Sequence, residues 1–319
     1  MAKPYYEFSD FLNKRFPFKV QKISVNAGFT CPNRDGSKGI GGCTYCNNAT
    51  FNPGYCRTAG MGVSAQLEAG IRFFARKYPQ MKYLAYFQAY TNTYASLEAL
   101  RQKYEEALSF PDVVGLILGT RPDCMPDVLL DFLSELSQKT FLFVEYGLES
   151  ASDRTLQRIR RGHTWQDSVD AVRRTHERGL LAGAHLILGL PGEDREQLLR
   201  QAGLISALPL TALKLHQLQI IRHTVMEKEF REHPEHFRLY SVEAYTDLVI
   251  DFLERLRPDM AVDRFISQSP RELLVAPDWG IKNHEFKAIL NQRFAIRQTR
   301  QGKRFQEPER MENEQAFQG

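Results

Sequence analysis

The sequence has no long hydrophobic run and little cysteine. Its longest apolar stretch, residues 180–190, is shorter than the about 20 residues that cross a bilayer and contains a histidine, so no transmembrane helix is predicted. The chain has five cysteines in 319 residues, and only Cys43 and Cys46 form a close pair. This excludes a disulfide-rich framework and gives no second pair of the kind usual in zinc ribbons. The net charge is only +4, which by itself selects no class of partner.

The composition is that of a globular chain with a large core. Hydrophobic residues make up 43% and charged residues 25% of the sequence, enough for one barrel-sized domain or two smaller ones. Residues 1–20 are charged and aromatic throughout and do not read as a secretory signal. We therefore expect a cytoplasmic protein with reduced thiols.

Three cysteines carry the functional argument: Cys31, Cys43 and Cys46, spaced Cys-x11-Cys-x2-Cys. Iron–sulfur cubanes are normally held by four cysteines, so a cluster held by three keeps one iron position for another ligand. The alternative is a zinc site in which Cys31 and Cys56 complete the ligands around the close pair. The spacing favours the cluster but leaves zinc open.

Apolar, β-branched runs alternate with helical periodicity, which indicates repeated βα units around a parallel sheet. Six strands are predicted at 22–29, 83–90, 113–120, 141–148, 181–189 and 213–220. Helices are predicted at 64–78, 97–108, 126–138, 165–178, 195–207 and 242–256. Such a pattern suits either a doubly wound sheet or a barrel.

The position of the unusual residues separates these two folds. The cysteine loop follows the first predicted strand, and polar or glycine-containing loops follow the other five. Barrels build active sites from the carboxyl ends of several strands, whereas open sheets use the loops near one switch point. We therefore predict an α/β fold, a partial six-stranded βα TIM-like barrel over residues 1–240, with a C-terminal helical extension at 241–297 and a disordered tail at 298–319.

Several short motifs together resemble the radical S-adenosylmethionine (SAM) superfamily, and within it the YhcC-like branch related to the elongator catalytic subunit. They are Asn26-Ala-Gly-Phe-Thr-Cys31-Pro-Asn-Arg34, Thr120-Arg-Pro-Asp123, Gly147-Leu-Glu-Ser150, Arg160-Arg-Gly-His163, Gly189-Leu-Pro-Gly192, Leu213-Lys-Leu-His216 and Ile221-Arg-His-Thr224. The resemblance covers about residues 19–290. It implies a [4Fe–4S] cluster on Cys31, Cys43 and Cys46 that binds SAM and cleaves it to a 5′-deoxyadenosyl radical, with an electron donor such as flavodoxin or ferredoxin.

The resemblance also implies which residues contact the cofactor. Glu149 matches a polar residue that contacts SAM, Arg161 one that reaches its carboxylate, and His185 one near the ribose. The turn at Gly189–Gly192 would allow close approach of the adenine, and Tyr45 could cover the cluster or the adenine. Four of these matches have a structural alternative, which is a helix cap for Glu149, a core histidine for His185, a plain turn at Gly189–Gly192 and a packed loop aromatic for Tyr45. The implied cofactor set is Tyr45, Thr91, Asn92, Glu149, Arg161, His185, Gly189, Leu190 and Pro191, although this chain lacks the Gly-Gly stretch that relatives carry near Thr91 and Asn92.

The substrate side is predicted from cations at strand ends. Arg121, Lys214, His216 and Arg222 would suit phosphate or carboxylate groups. Cys124 is a candidate hydrogen-atom donor or acceptor, with a small buried hydrophobe as the alternative. The relation to the elongator subunit implies tRNA, at the wobble uridine, as substrate. Two other functions stay open: a radical SAM enzyme for a small anionic metabolite, and a zinc-stabilised RNA-binding module.

Overall fold

Seven buried, largely apolar stretches form one parallel sheet. In this computed structural model, which describes residues 3–51, 61–75 and 80–307, the strands lie in the order β1-β2-β3-β4-β5-β6-β8. They are β1 (Val20–Val25), β2 (Lys82–Phe87), β3 (Val113–Thr120), β4 (Phe141–Glu149), β5 (Leu181–Leu188), β6 (Ala212–Gln217) and β8 (Ala261–Arg264). Because β1 and β8 are not paired with each other, the sheet is a half-barrel. Two short strands, β7 (Ile220–Ile221) and β9 (Leu274–Ala276), pair antiparallel beside it.

Helices cover the outer face of the half-barrel. The helices are α1 (Phe8–Asn13), α2 (Val63–Ala75), α3 (Leu97–Leu108), α4 (Asp127–Ser137), α5 (Asp153–Arg158), α6 (Trp165–Glu177), α7 (Arg195–Ser206), α8 (Val225–Glu232), α9 (Val242–Arg255) and α10 (Asn283–Arg297). Their starts follow ordinary capping rules: Thr164 and Asp194 form capping boxes at α6 and α7, and Ser96 caps α3. The outer faces of the strands and the inner faces of these helices make the main core.

The inner face of the sheet is apolar at one end only. Phe8, Phe11 and Leu12 of α1 pack with Leu84 and Phe143 at the amino-terminal ends of the strands. The segment before α1 runs beside β8, where the Val262 N–H donates to the carbonyl of Tyr6 at 2.8 Å. The amino-terminal helix thus closes the floor of the half-barrel and leaves the carboxyl ends of the strands open.

The six predicted strands and six predicted helices are all present, most with ends within a few residues of the prediction. The predicted strand number is wrong, because a seventh strand, β8, lies within the segment predicted as a helical extension. The prediction of a disordered tail from residue 298 is also wrong for residues 298–307. There, Gln301 is buried, its N–H donates to the carbonyl of Pro4, and its side-chain amide donates to Arg257 and Met260. Residues 308–319, and Cys56, lie outside the described residues.

Candidate active site

The three predicted ligand cysteines line one cavity at the open end of the half-barrel. This cavity has a volume of 770 Å³, and Cys31, Cys43 and Cys46 share its wall with residues from the strands β1 to β6 and β8. The cysteine loop therefore faces the interior of the half-barrel, as the predicted strand-end arrangement requires.

Hydrogen bonds fix the cysteine loop to the segment after α5. The Asn33 amide donates to the carbonyls of Arg160 and Arg161 at 2.8 and 2.9 Å, and the Thr44 N–H donates to the carbonyl of Ile159 at 2.9 Å. Gly162 permits this approach: it has φ of +74°, and an added Cβ would lie 2.6 Å from Asn33 Oδ1. The loop is thus held by chain segments far away in sequence.

Several donors point at the thiols. Asn33 Nδ2 lies 3.4 Å and Arg161 Nη1 3.6 Å from Cys43 Sγ, and Asn48 Nδ2 lies 3.6 Å from Cys46 Sγ. Burial, with the neighbouring Cys43 sulfur, raises the pKa of Cys46 to about 11, so binding of a metal centre there displaces a proton. Donors placed in this way would stabilise sulfur ligands carrying negative charge.

The spread of the thiols argues against one shared zinc ion. Two thiolates on one zinc lie at most about 4.6 Å apart, because each Zn–S bond is about 2.3 Å. Among the described residues, the group whose ligand atoms all lie within 4.8 Å of one another is the exposed set His233, Glu235 and His236, not the three cysteines. In a cubane each cysteine binds a different iron, so a wider spread is expected.

Arg161 and Glu149 line the cavity next to the cysteines. Arg161 Nη2 donates to the carbonyl of Gly147 at 2.6 Å and lies 3.7 Å from Glu149 Oε1. Glu149 has φ of +70° at an irregularity in the β4–β5 pairing, which is the kind of strained backbone that collects at functional sites. The helix-cap alternative for Glu149 is wrong, because the Ser152 side chain caps α5.

Two buried guanidinium groups next to this site have unused donors. Among the described residues, Arg161 Nε and Arg121 Nη1 have no hydrogen-bond partner. Arg121 otherwise holds Asp123 with two hydrogen bonds of 3.0 Å. Three thiols, donors to their sulfurs and spare cationic donors together fit an anionic cluster and a ligand that carries a carboxylate.

Not all of the predicted cofactor residues reach the cavity. Tyr45, Thr91, Glu149, Arg161 and His185 line it. His185 lines the cavity, as a residue near the ribose would, and it also bonds Glu145 Oε2 at 3.0 Å, as a core histidine would. Its placement therefore combines features of both predicted alternatives.

The other four predicted cofactor residues lie behind the wall. Asn92 is fully buried and donates to the carbonyls of Phe87 and Gly119, which ties β2 to β3. The group that approaches Gly189 closely is the Tyr240 ring, which would lie 3.2 Å from an added Cβ. Leu190 packs in an apolar cluster with Leu156 and Ile159, and Pro191 is buried. Their placement therefore does not support direct contact of Gly189, Leu190 and Pro191 with the adenine.

The predicted substrate residues divide in the same way. Arg121, Lys214 and His216 line the cavity, whereas Arg222 is exposed beyond β7 and is absent from the wall. Cys124 is buried behind the wall; burial and the neighbouring Asp123 raise its pKa to about 12, so its thiol stays protonated. Its placement fits the small-hydrophobe alternative.

Sequence reasoning missed part of the site. Asn33, Arg34 and Asn48 contact the cysteine loop or its sulfurs, and Lys22, Glu145, Asp263 and Arg264 line the interior of the half-barrel. A usable signal existed for Glu145, which is a charged residue in the middle of a strand whose other charged residue, Glu149, lies at its end.

Comparisons with known proteins agree with this geometry. A model described as the Radical SAM superfamily matches residues 28–203, and one for the Radical_SAM C-terminal domain matches residues 210–295. The protein YhcC of Escherichia coli K12 is 36% identical over 85% of this chain and 86% of its own length. The predicted family resemblance is confirmed by these matches.

Two further comparisons concern the elongator-related proteins. The structure of archaeal Methanocaldococcus infernus Elp3 superposes with a TM-score of 0.66 and 16% identity over 89% of this chain, which spans 64% of that protein's chain. A tRNA uridine(34) acetyltransferase of Dehalococcoides mccartyi is 25% identical over 53% of this chain and 36% of its own length. The first shows a shared fold, and the second a more distant relationship. No helix among the described residues is long and apolar enough to cross a membrane.

Proposed function

Because the chain belongs to the radical SAM superfamily of enzymes, we propose that it holds a [4Fe–4S] cluster on Cys31, Cys43 and Cys46 and modifies a wobble uridine of tRNA. The observation that supports the cluster is that these three thiols share the wall of one cavity at the open end of the half-barrel. When bound, the cluster and SAM would supply the 5′-deoxyadenosyl radical.

The chain's own residues would hold and shield these groups. Asn33, Asn48 and Arg161 would donate to the cluster sulfurs, and the unused Nε of Arg161 suits the carboxylate of SAM. Glu149, which lies beside Arg161, would accept a hydrogen bond from the SAM amino group. Tyr45 is partly buried and lines the cavity together with the cysteines and Glu149, where its ring would limit access of water.

The tRNA part of the proposal is supported by the relatives. A tRNA uridine(34) acetyltransferase shares sequence with this chain, and Elp3 shares its fold. We further propose a cytoplasmic location and reduction by flavodoxin or ferredoxin. A small anionic metabolite is the second candidate substrate, favoured by Arg121, which lines the cavity and whose Nη1 has no hydrogen-bond partner among the described residues.

The first test concerns the cluster. After anaerobic reconstitution, we expect the wild-type chain to bind about four iron and four sulfide, and Cys43→Ala to lose most of both. Cys124→Ala is the matched control, because Cys124 lies behind the cavity wall, and it should retain iron and sulfide. A colourless wild-type protein that carries one zinc would contradict the cluster.

The second test concerns the substrate. Mass spectrometry of tRNA nucleosides from cells without this protein should show loss of one modified uridine, restored by the wild-type gene and not by Cys43→Ala. An unchanged nucleoside profile would contradict the tRNA proposal and favour the small metabolite.

A further inference from the structure

The inner wall of the half-barrel carries a network of four charges, of which Glu145 and Lys214 are buried and Lys22 and Asp263 are partly buried. Lys214 Nζ lies 2.6 Å from Glu145 Oε2 and 3.3 Å from Asp263 Oδ2. Lys22 Nζ lies 2.6 Å from Asp263 Oδ2 and 3.4 Å from Glu145 Oε1. Barrel interiors are usually filled with branched apolar side chains, so a charged interior needs a reason.

These four charges neutralise one another. Burial would raise the pKa of Glu145, but the ammonium groups of Lys214 and Lys22 outweigh it and hold the pKa well below its usual range. For Asp263 the same two ammonium groups also outweigh burial and lower the pKa. Both carboxyl groups are therefore ionised at neutral pH, and two cations face two anions with no net charge left over.

His216, one of two histidines in the same wall, adds no positive charge to this balance. Burial, with His185 and Arg264 nearby, holds the pKa of His216 well below its usual value, so this ring is neutral. Its Nδ1 lies 2.6 Å from Ser267 Oγ, and its ring centre lies 5.5 Å from that of His185. His185 in turn bonds the carboxylate of Glu145.

Arg264 is the surplus cation in this wall. It ends β8, pairs in register with Lys214 of β6, and lines the cavity. Within the part of the chain that the structure describes, its guanidinium makes no hydrogen bond or ion pair, unlike Lys22 and Lys214. The Arg264 side chain is partly buried, but its guanidinium nitrogens keep access to the cavity, so the oxygens of a ligand can reach them.

We propose that Arg264 binds an oxyanion, a carboxylate or a phosphate group, of the substrate inside the half-barrel. The planar guanidinium can hold two oxygens of such a group at once. Lys22 is paired with Asp263 and Lys214 with Glu145. Of these three cations, Arg264 is therefore the one that can bind an anion without breaking an ion pair.

This inference refines the proposed function by giving the substrate an anionic group, and it can be tested without tRNA or turnover. The probes are ¹³C-labelled acetate and inorganic phosphate, titrated separately into reconstituted protein with saturating SAM and followed by NMR of the probe. SAM is included so that its own carboxylate occupies its site. We expect saturable binding of at least one probe to the wild-type chain.

The variants locate that binding. Arg264→Gln should weaken it by about tenfold or more, the usual effect of removing a charged hydrogen-bond donor. Arg264→Lys keeps the positive charge but loses the planar guanidinium, so its affinity should lie between those of wild type and Arg264→Gln. It also serves as a second variant in case Arg264→Gln misfolds. Arg300→Gln is the matched control, because Arg300 is exposed after α10 and is absent from the cavity wall.

Three results would overturn the inference: neither anion binds the wild-type chain, Arg264→Gln binds as well as Arg300→Gln, or saturating SAM abolishes binding. The last result would assign Arg264 to SAM. The two probes separate a carboxylate from a phosphate. Loss of the tRNA proposal alone, from an unchanged nucleoside profile, would leave these binding results standing.

Discussion

At the scale of single residues, Arg161 connects most of the site. It contacts Cys43 Sγ, the carbonyl of Gly147 and the carboxylate of Glu149 from one buried position. Its motif was visible in the sequence, but its contact with the sulfur was not, because that contact joins segments 118 residues apart. The same holds for Asn33, whose amide bridges the cysteine loop to residues 160 and 161.

Replacement of Arg161 should change the reduction potential of the cluster. In Arg161→Met the sulfur loses a donor and a nearby positive charge, which disfavours the more negative reduced state. We expect a potential lower by about 40 mV or more, which corresponds to about 1 kcal/mol for one electron. A redox titration followed by EPR measures it, with Arg160→Met, an exposed neighbour, as control. Equal potentials in both variants would refute this role.

Glu193, in the loop after β5, predicts a pH dependence of stability. Burial raises its pKa from 4.5 to about 7, against donors from Ser150, Thr155 and Gln201. The folded state therefore binds this proton more tightly than the unfolded state, so the contribution of Glu193 to stability is fully present below pH 4.5 and is lost as the pH rises through about 7. The loss should reach about 3 kcal/mol.

Glu193→Gln removes this titration. In chemical denaturation, the variant should be about as stable as wild type at acidic pH. At pH values above the pKa of the Glu193 carboxyl in the folded state, it should be more stable than wild type. Glu196→Gln, at an exposed position on α7, is the control and should follow wild type throughout. A parallel pH dependence of wild type and Glu193→Gln would show that this carboxyl does not cause the loss.

At the scale of elements, strands with continuous apolar sequence were predictable and the short seventh strand was not. β3 and β5 are read directly from buried runs. β8 has four residues, two of them charged, and its pairing with β6 depends on contacts that no local pattern encodes. That omission also removed Asp263 and Arg264 from the predicted site.

Two glycines test the packing of elements in opposite directions. At Gly115 in β3 an added Cβ would lie 2.3 Å from the carbonyl oxygen of Phe141, so Gly115→Ala should destabilise the fold by about 1–3 kcal/mol as β3 and β4 separate. At Gly203 in α7 nothing lies within 4 Å, so Gly203→Ala should stabilise by about 0.5–1 kcal/mol. Denaturation midpoints compare them, and a Gly115→Ala variant as stable as wild type would contradict the close β3–β4 approach.

At the scale of the whole molecule, the half-barrel separates three environments. Its floor is closed by apolar residues of α1, its middle carries paired charges and Arg264, and its mouth carries the three thiols. The sequence predicted the mouth, because cysteine spacing and strand ends are local signals. The charged middle required the register of four strands, which places Lys22, Glu145, Lys214 and Asp263 within contact distance.

Binding of SAM to a cluster held by three cysteines is tested most directly by EPR of the reduced, anaerobically reconstituted chain with and without SAM. Three cysteine ligands leave one iron open to SAM, so we expect a cubane signal whose g-values change when SAM is added. Arg160→Met should show the same change. A cubane signal that SAM leaves unaltered, or a preparation that binds zinc and no iron, would contradict it.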